Sequence, residues 1–202
     1  MPNSIAPAPA TTSAGTQLPL FAIPQKRLLT INASDIPLVK DTVGPGIHIQ
    51  VLRLDFDHNE WVVLVTFAPG TRLPLHYHSG PAEVYTLKGR WLYGEYPEQP
   101  QTAGSYLYEP GGSVHTLYVP QGNTEDTVLF VRVCGANVNF HDDGQLHSIL
   151  DTLAIRAIAD TSSAAQNLPA PRYIEGAETT SSESTSGTRT LGTDGGPNGT
   201  HR

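Results

Sequence analysis

The sequence predicts an all-β domain, one barrel or sandwich of short strands with a single short helix near its C-terminal end and disordered tails. From residue 46 to residue 133, short runs rich in β-branched and aromatic side chains recur, each bounded by Gly, Pro or Asn. No helical-period segment separates these runs, which argues against a parallel α/β sheet. Both ends of the 202-residue chain are rich in Pro, Ala, Ser, Thr or Gly, which explains a hydrophobic content of only 38% and leaves room for one domain of ordinary size.

Residues 1–24 read as a flexible arm, too poor in large apolar groups to offset the entropy of ordering. Residues 25–176 read as the folded domain, with a barrel core over roughly 45–135. From Lys26 to Val43, apolar residues between Leu28 and Val39 suggest a short strand and a turn ending at Gly44-Pro-Gly46. Gly46 to Phe56 alternates, with Ile47, Ile49 and Val51 on one face. Asp57-His58-Asn59 is a turn, and Trp61 to Phe67 reads as a buried strand. Strands are then expected over Leu73–His78, Glu83–Leu87, Arg90–Tyr96, Ser105–Glu109, His115–Val119 and Thr127–Val133. Ile149, Leu150, Leu153, Ile155, Ile158 and Ala159 fall mostly at helical spacing and place a helix over 148–160. Residues 177–202 are expected to be a disordered tail.

Charge and composition narrow the function. A formal charge of −7 offers no basic patch for nucleic acid. The single cysteine, Cys134, excludes an intrachain disulfide framework and a zinc site of the Cys type. No run approaches the ~18 apolar residues of a membrane span, and the first residues show no secretory signal. A cytoplasmic enzyme or binding protein is the default expectation.

His76 and His78 lie two apart, so on a strand both imidazoles point to one face. His115 supplies a third imidazole behind the turn Pro110-Gly111-Gly112. Three neutral imidazoles on a rigid barrel suit Fe, Zn, Cu or Ni and leave coordination positions open. Mononuclear Fe(II) is the first expectation, a redox-active metal that can also bind oxygen, although spacing alone does not separate it from Zn, Mn or Ni. Glu83 has three readings: a fourth ligand, an acid that fixes an imidazole tautomer, or a solvent-facing strand residue. On alternation Glu83, Tyr85 and Leu87 share one face, and Trp91, Tyr93 and Glu95 another. Tyr93 is the candidate phenol for a substrate oxygen and is grouped with Glu83 as catalytic. Tyr85, Arg90, Tyr108 and Glu109 are the candidate substrate-binding residues.

These blocks resemble the paired motifs of the cupin superfamily. Gly70, His76, His78 and Gly89 match the first motif, and Gly104, Pro110, Gly112 and His115 match the second. Two positions depart from it. Five residues rather than six separate Glu83 from Gly89, which leaves Ala82 in the usual place of the acid, and Val119 replaces the closing Asn. The resemblance implies a double-stranded β-helix, or jelly-roll, barrel. Over roughly residues 26–176 the wording is similar to the 2,4'-dihydroxyacetophenone dioxygenase family. It is carried by Tyr85-Thr-Leu-Lys-Gly-Arg-Trp-Leu-Tyr93, Gly104 to Gly112, His115-Thr-Leu117, Gly135 to Phe140 and Leu146-His-Ser-Ile-Leu-Asp151. That family holds one non-haem iron through three histidines, which correspond to His76, His78 and His115. It uses O2 to cleave the bond between a ketone carbon and its hydroxymethyl carbon, giving an aryl carboxylate and formate. The resemblance thus implies an aryl hydroxyketone substrate and, as in other single-barrel cupins, pairing of two copies through an edge strand. Two alternatives stay open: another metal-dependent cupin enzyme, such as an isomerase or a diketone or small-aromatic dioxygenase, and a non-catalytic metal- or ligand-binding cupin.

Overall fold

The computed structural model describes residues 7–22 and 28–176. The expected tail at 177–202 and the short segments 1–6 and 23–27 lie outside the described residues. The chain forms two compact units. Within the first, residues 7–22 hold an antiparallel hairpin of β1 (Ala8–Thr11) and β2 (Gln17–Ala22), where an unstructured arm was the expectation. Its turn is closed by Gly15 N donating to Thr12 O and Thr16 N donating to Thr12 Oγ1. Leu18, Leu20 and Phe21 give β2 the apolar content that composition over the whole arm conceals.

The second unit is the barrel. β3 (Ile47–Asp55) and β4 (Glu60–Phe67) pair around the turn at 57–59, where Asn59 takes a left-handed φ of 49°. Ile47, Ile49 and Val51 are buried as the alternation predicts, and a bulge between Val51 and Arg53 re-phases the strand so that Leu54 is fully buried. There follow β5 (His76–His78), β6 (Ala82–Lys88), β7 (Arg90–Tyr93), β8 (Gln101–Thr102), β9 (Tyr106–Glu109), β10 (Val114–His115), β11 (Leu117–Tyr118) and β12 (Thr127–Cys134). β13 (Asn137–Phe140), β14 (Leu146–Leu150), α1 (Thr152–Ala165) and β15 (Ile174–Glu175) complete the unit. One sheet runs in the order β15-β3-β4-β12-β6-β9, a second β10-β5-β13-β14 and a third β11-β7-β8. This is the predicted all-β jelly-roll class. Among the described residues no helix is long and apolar enough to cross a membrane.

Three boundaries differ from the sequence expectation. Residues 115–119 do not form one strand, because His115 pairs with β5 while Leu117 pairs with β7, so the chain passes from one sheet to another there. Only His76–His78 of the 73–78 run is a strand, since Pro74 has no N–H to donate to a ladder. The helix begins at Thr152 rather than near 148 because residues 146–150 pair antiparallel with β13. Asp151 then caps it, its side chain accepting from Ala154 N at 2.8 Å. Ile155 and Ala159 carry the helix into a core with Leu54, Trp61, Val63 and Val133. A second core joins Phe67, Val84, Trp91, Tyr93, Leu117 and Leu129 and backs the histidine motif.

Gly89, between β6 and β7, has φ +80°, and a Cβ there would stand 2.5 Å from Thr127 Oγ1 and 2.8 Å from Thr127 Cα. Gly89→Ala is therefore expected to lower stability by about 1–3 kcal/mol. Urea denaturation checks this; an unshifted midpoint would mean that the turn relaxes freely.

Candidate metal centre

β5 alternates as its sequence dictates, with His76 and His78 buried and Tyr77 turned outward. β10 runs antiparallel on one side and brings His115 directly opposite His76. β13 lies on the other side, with Asn137 opposite His78 and Asn139 opposite His76. Ligand-capable atoms of His76, His78 and His115 all lie within 4.8 Å of one another. His76 Nδ1 is 2.9 Å from the Pro74 carbonyl, to which it donates, so its Nε2 is the nitrogen left for another partner. Nε2 of His78 is 3.1 Å from Nε2 of His115.

Glu109 closes the group. Its buried carboxylate is 2.9 Å from His78 Nε2 and 3.5 Å from His115 Nε2. Tyr93 stacks on His115 with ring centroids 4.0 Å apart and planes 25° from parallel. Trp91, fully buried, meets Tyr93 edge-on at 5.1 Å and is anchored by its indole N–H donating to Thr86 Oγ1 at 2.8 Å. His76 and His78 border a cavity of about 640 Å³, mouth included, walled by Val43, Ile47, Val65, Leu73, Leu117 and Leu129. Polar side chains at this cavity are His76, His78, Tyr93, Glu109 and Asn137.

Burial sets the protonation of the site. Desolvation pushes His76 down to about 4, outweighing its hydrogen bond to Pro74, with further lowering from His115 and His78. His115 is also lowered, first by desolvation, against the opposing pull of Glu109. At neutral pH these two rings are neutral, the form in which imidazole binds a metal. Three converging imidazole nitrogens beside a buried carboxylate are a donor set that fits a divalent transition metal, so the cluster is able to hold one.

The structure brings together the three histidines, Tyr93 and Glu109, and leaves the other candidates outside. Glu83 faces outward and accepts from Arg132 at 3.0 Å, which excludes it as a ligand. It belongs to a ladder across β3, β4, β12 and β6, in which Arg53 and Arg132 both grip Glu60 and Arg132 also holds Glu83. The inward positions of β6 are Ala82, Val84 and Thr86, so Ala82 occupies the place that the motif gives to the acid. Tyr85 shares the outward face of Glu83, and Tyr108, opposite Glu83 on β9, is 56% exposed. Arg90 is exposed, with Asn123 Nδ2 donating to its backbone carbonyl. None of these three is at the cavity. Asn137 at the cavity was not singled out from sequence; its place in an Asn-x-Asn alternation beside the histidine strand is the available signal.

His76→Ala and His115→Ala are expected to lose most bound metal, while Glu83→Gln keeps it and costs under about 1 kcal/mol of stability. Metal content by elemental analysis checks both, and metal retained by His76→Ala would refute the donor set. The His76 pKa falls on folding, so its contribution to stability is present above pH 6.5 and is lost as pH drops toward 4. Metal-free protein is expected to lose roughly 3 kcal/mol over that window from this residue, measured by urea denaturation at stepped pH, and His76→Ala flattens the slope.

The chain matches the family model for the ChrR cupin-like domain over residues 26–136. No curated protein matches it. Among solved structures it is 39% identical to a protein of unknown function with a cupin-like fold from Ralstonia eutropha JMP134, over 78% of this chain and 98% of that one, with a TM-score of 0.71. An RmlC-like cupin from the same organism is 20% identical, over 72% and 93%, with a TM-score of 0.66. An acetylacetone dioxygenase from Acinetobacter johnsonii is 18% identical, over 66% and 90%, with a TM-score of 0.55, and shares the fold. The model covers more than half of the chain, and the chain belongs to the ChrR cupin-like domain family.

Proposed function

We propose that the protein is a non-haem iron dioxygenase that cleaves the bond between the ketone and hydroxymethyl carbons of an aryl hydroxyketone. One ketone and one O2 would give one aryl carboxylic acid and one formic acid, which balances all atoms. The observation that carries this reading is the set of three converging buried imidazoles, two of which line an apolar cavity. His76, His78 and His115 would hold the iron, which when bound supplies Lewis acidity and a redox-active centre for oxygen. The resemblance to the dihydroxyacetophenone dioxygenase family supports the choice of iron and of reaction.

The chain's own residues divide the remaining work. Glu109, buried beside His78 and His115, would accept the proton that the hydroxyketone gives up. Tyr93, pressed against His115, offers its phenol to a substrate oxygen and keeps that ring in place. The walls of Ile47, Val65, Leu117 and Leu129 would take the aryl group and exclude water. A second reading, cleavage of a small β-diketone, is favoured by the same walls, because among the described residues no polar side chain lines them away from the histidine end to receive a ring hydroxyl. The acetylacetone dioxygenase of the same fold acts on a compound of that type.

Oxygen uptake by iron-loaded protein with 2,4'-dihydroxyacetophenone, 2-hydroxyacetophenone and 2,4-pentanedione separates the readings. The first expects uptake matched one-to-one by formate with a hydroxyketone; uptake with the diketone alone and no formate supports the second. Uptake with none of them despite bound iron would reject both. Chelation is expected to abolish turnover, and Fe(II) but not Zn(II) to restore it. Glu109→Gln is expected to lower kcat about 100-fold or more, and Tyr93→Phe about 10-fold with metal content unchanged.

A further inference from the structure

We propose that Asn137 is the positioning residue for His78, its side-chain amide meeting Nδ1 of the ring and thereby aiming Nε2 at the centre. This rests on the metal-centre reading above and extends it to a residue outside the donor set. His76 and His78 differ in one respect. His76 Nδ1 donates to the Pro74 carbonyl, whereas His78 Nδ1 is shut off from solvent with no hydrogen-bond partner. Asn137 Oδ1 is likewise buried and without a partner.

The two residues are directly opposed across β5 and β13, and both line the cavity. Opposed Cβ atoms on antiparallel strands stand about 4.5–5.5 Å apart, and each unpartnered atom lies two bonds beyond its own Cβ. In the proposed contact, rotation of the amide brings them together. The chemistry fits in either tautomer. A neutral imidazole that ligates through Nε2 must carry its proton on Nδ1, and the amide carbonyl accepts it. When Nε2 instead carries the proton, toward Glu109, the amide NH2 donates to the bare Nδ1. Ser113 is the competing partner: it flanks His78 on the β10 side, where His78 N donates to Ser113 O, and its Oγ is also buried and unpartnered. Ser113 does not line the cavity, and a hydroxyl spans less distance than an amide.

The test uses the full chain as wild type, Asn137→Ala, Asn137→Asp and Ser113→Ala. Cobalt(II) affinity is measured by chelator competition, and the His78 ring nitrogens are followed by 15N NMR in the metal-free and zinc-loaded states. Asn137→Ala is expected to weaken cobalt binding 10–100-fold. It should also expose the His78 Nδ1 proton to solvent exchange while that of His76 stays protected. Asn137→Asp, which keeps an acceptor, is expected to recover most of the affinity. Unchanged affinity with a protected Nδ1 proton in Asn137→Ala overturns the proposal, as does a loss confined to Ser113→Ala. If wild type binds neither cobalt nor zinc, the metal-centre reading fails. The metal-free spectra then decide alone: a His78 Nδ1 resonance moved by Asn137→Ala upholds the contact, and an unmoved one overturns it.

Discussion

Burying three imidazoles side by side requires a backbone frame that holds them from both flanks, and the pairing of β5 between β10 and β13 supplies it. A three-residue strand has no fold of its own. Its geometry is borrowed from the neighbours, which hold His115 opposite His76 and Asn137 opposite His78. The passage of the chain from β10 to β11 within four residues ties that small sheet to the one carrying Tyr93. The stacked Tyr93–His115 pair, backed by Trp91, is thus where two sheets and the centre meet.

Much of this was legible from the period-2 rule. His76 and His78 had to share a face, and Trp91 and Tyr93 had to share another. The same rule, applied to β6, puts Glu83 with Tyr85 and Leu87, but alternation does not say which of two faces is inner. The neighbours decide that: Ala82, Val84 and Thr86 are small or β-branched enough to pack against β12 within the barrel, and Arg132 waits outside for the acid. On β9 the rule allowed only one of Tyr108 and Glu109 to face inward, and it is Glu109. A carboxylate buried at 4% exposure is costly in isolation, so its legibility depended on knowing that imidazoles lie within reach. The helix start was hidden for a different reason. Ile149 and Leu150 continue the apolar pattern of α1, yet the hydrogen bonds of β13 claim them first.

The barrel separates its charges by face. Outside, Arg53, Glu60, Arg132 and Glu83 alternate in sign across four strands. Inside, polar groups are confined to the histidine end, and the remaining wall is apolar, aliphatic side chains joined by Trp61 and Phe67. On the proposed function, this asymmetry would orient the substrate with its oxygen atoms toward the imidazoles and its hydrocarbon toward Leu117 and Leu129.

The outer ladder also guards against a folding error. Were β6 to slide by one residue against β12, Glu83 would enter the barrel, Ala82 would face Arg132, and the inner wall would lose Val84 and Thr86 at the same moment. Such a slip leaves a carboxylate without its guanidinium and a guanidinium without its carboxylate. The misaligned chain is therefore penalised on both faces at once, and the acid that takes no part in the centre serves to proofread the alignment on which the centre stands.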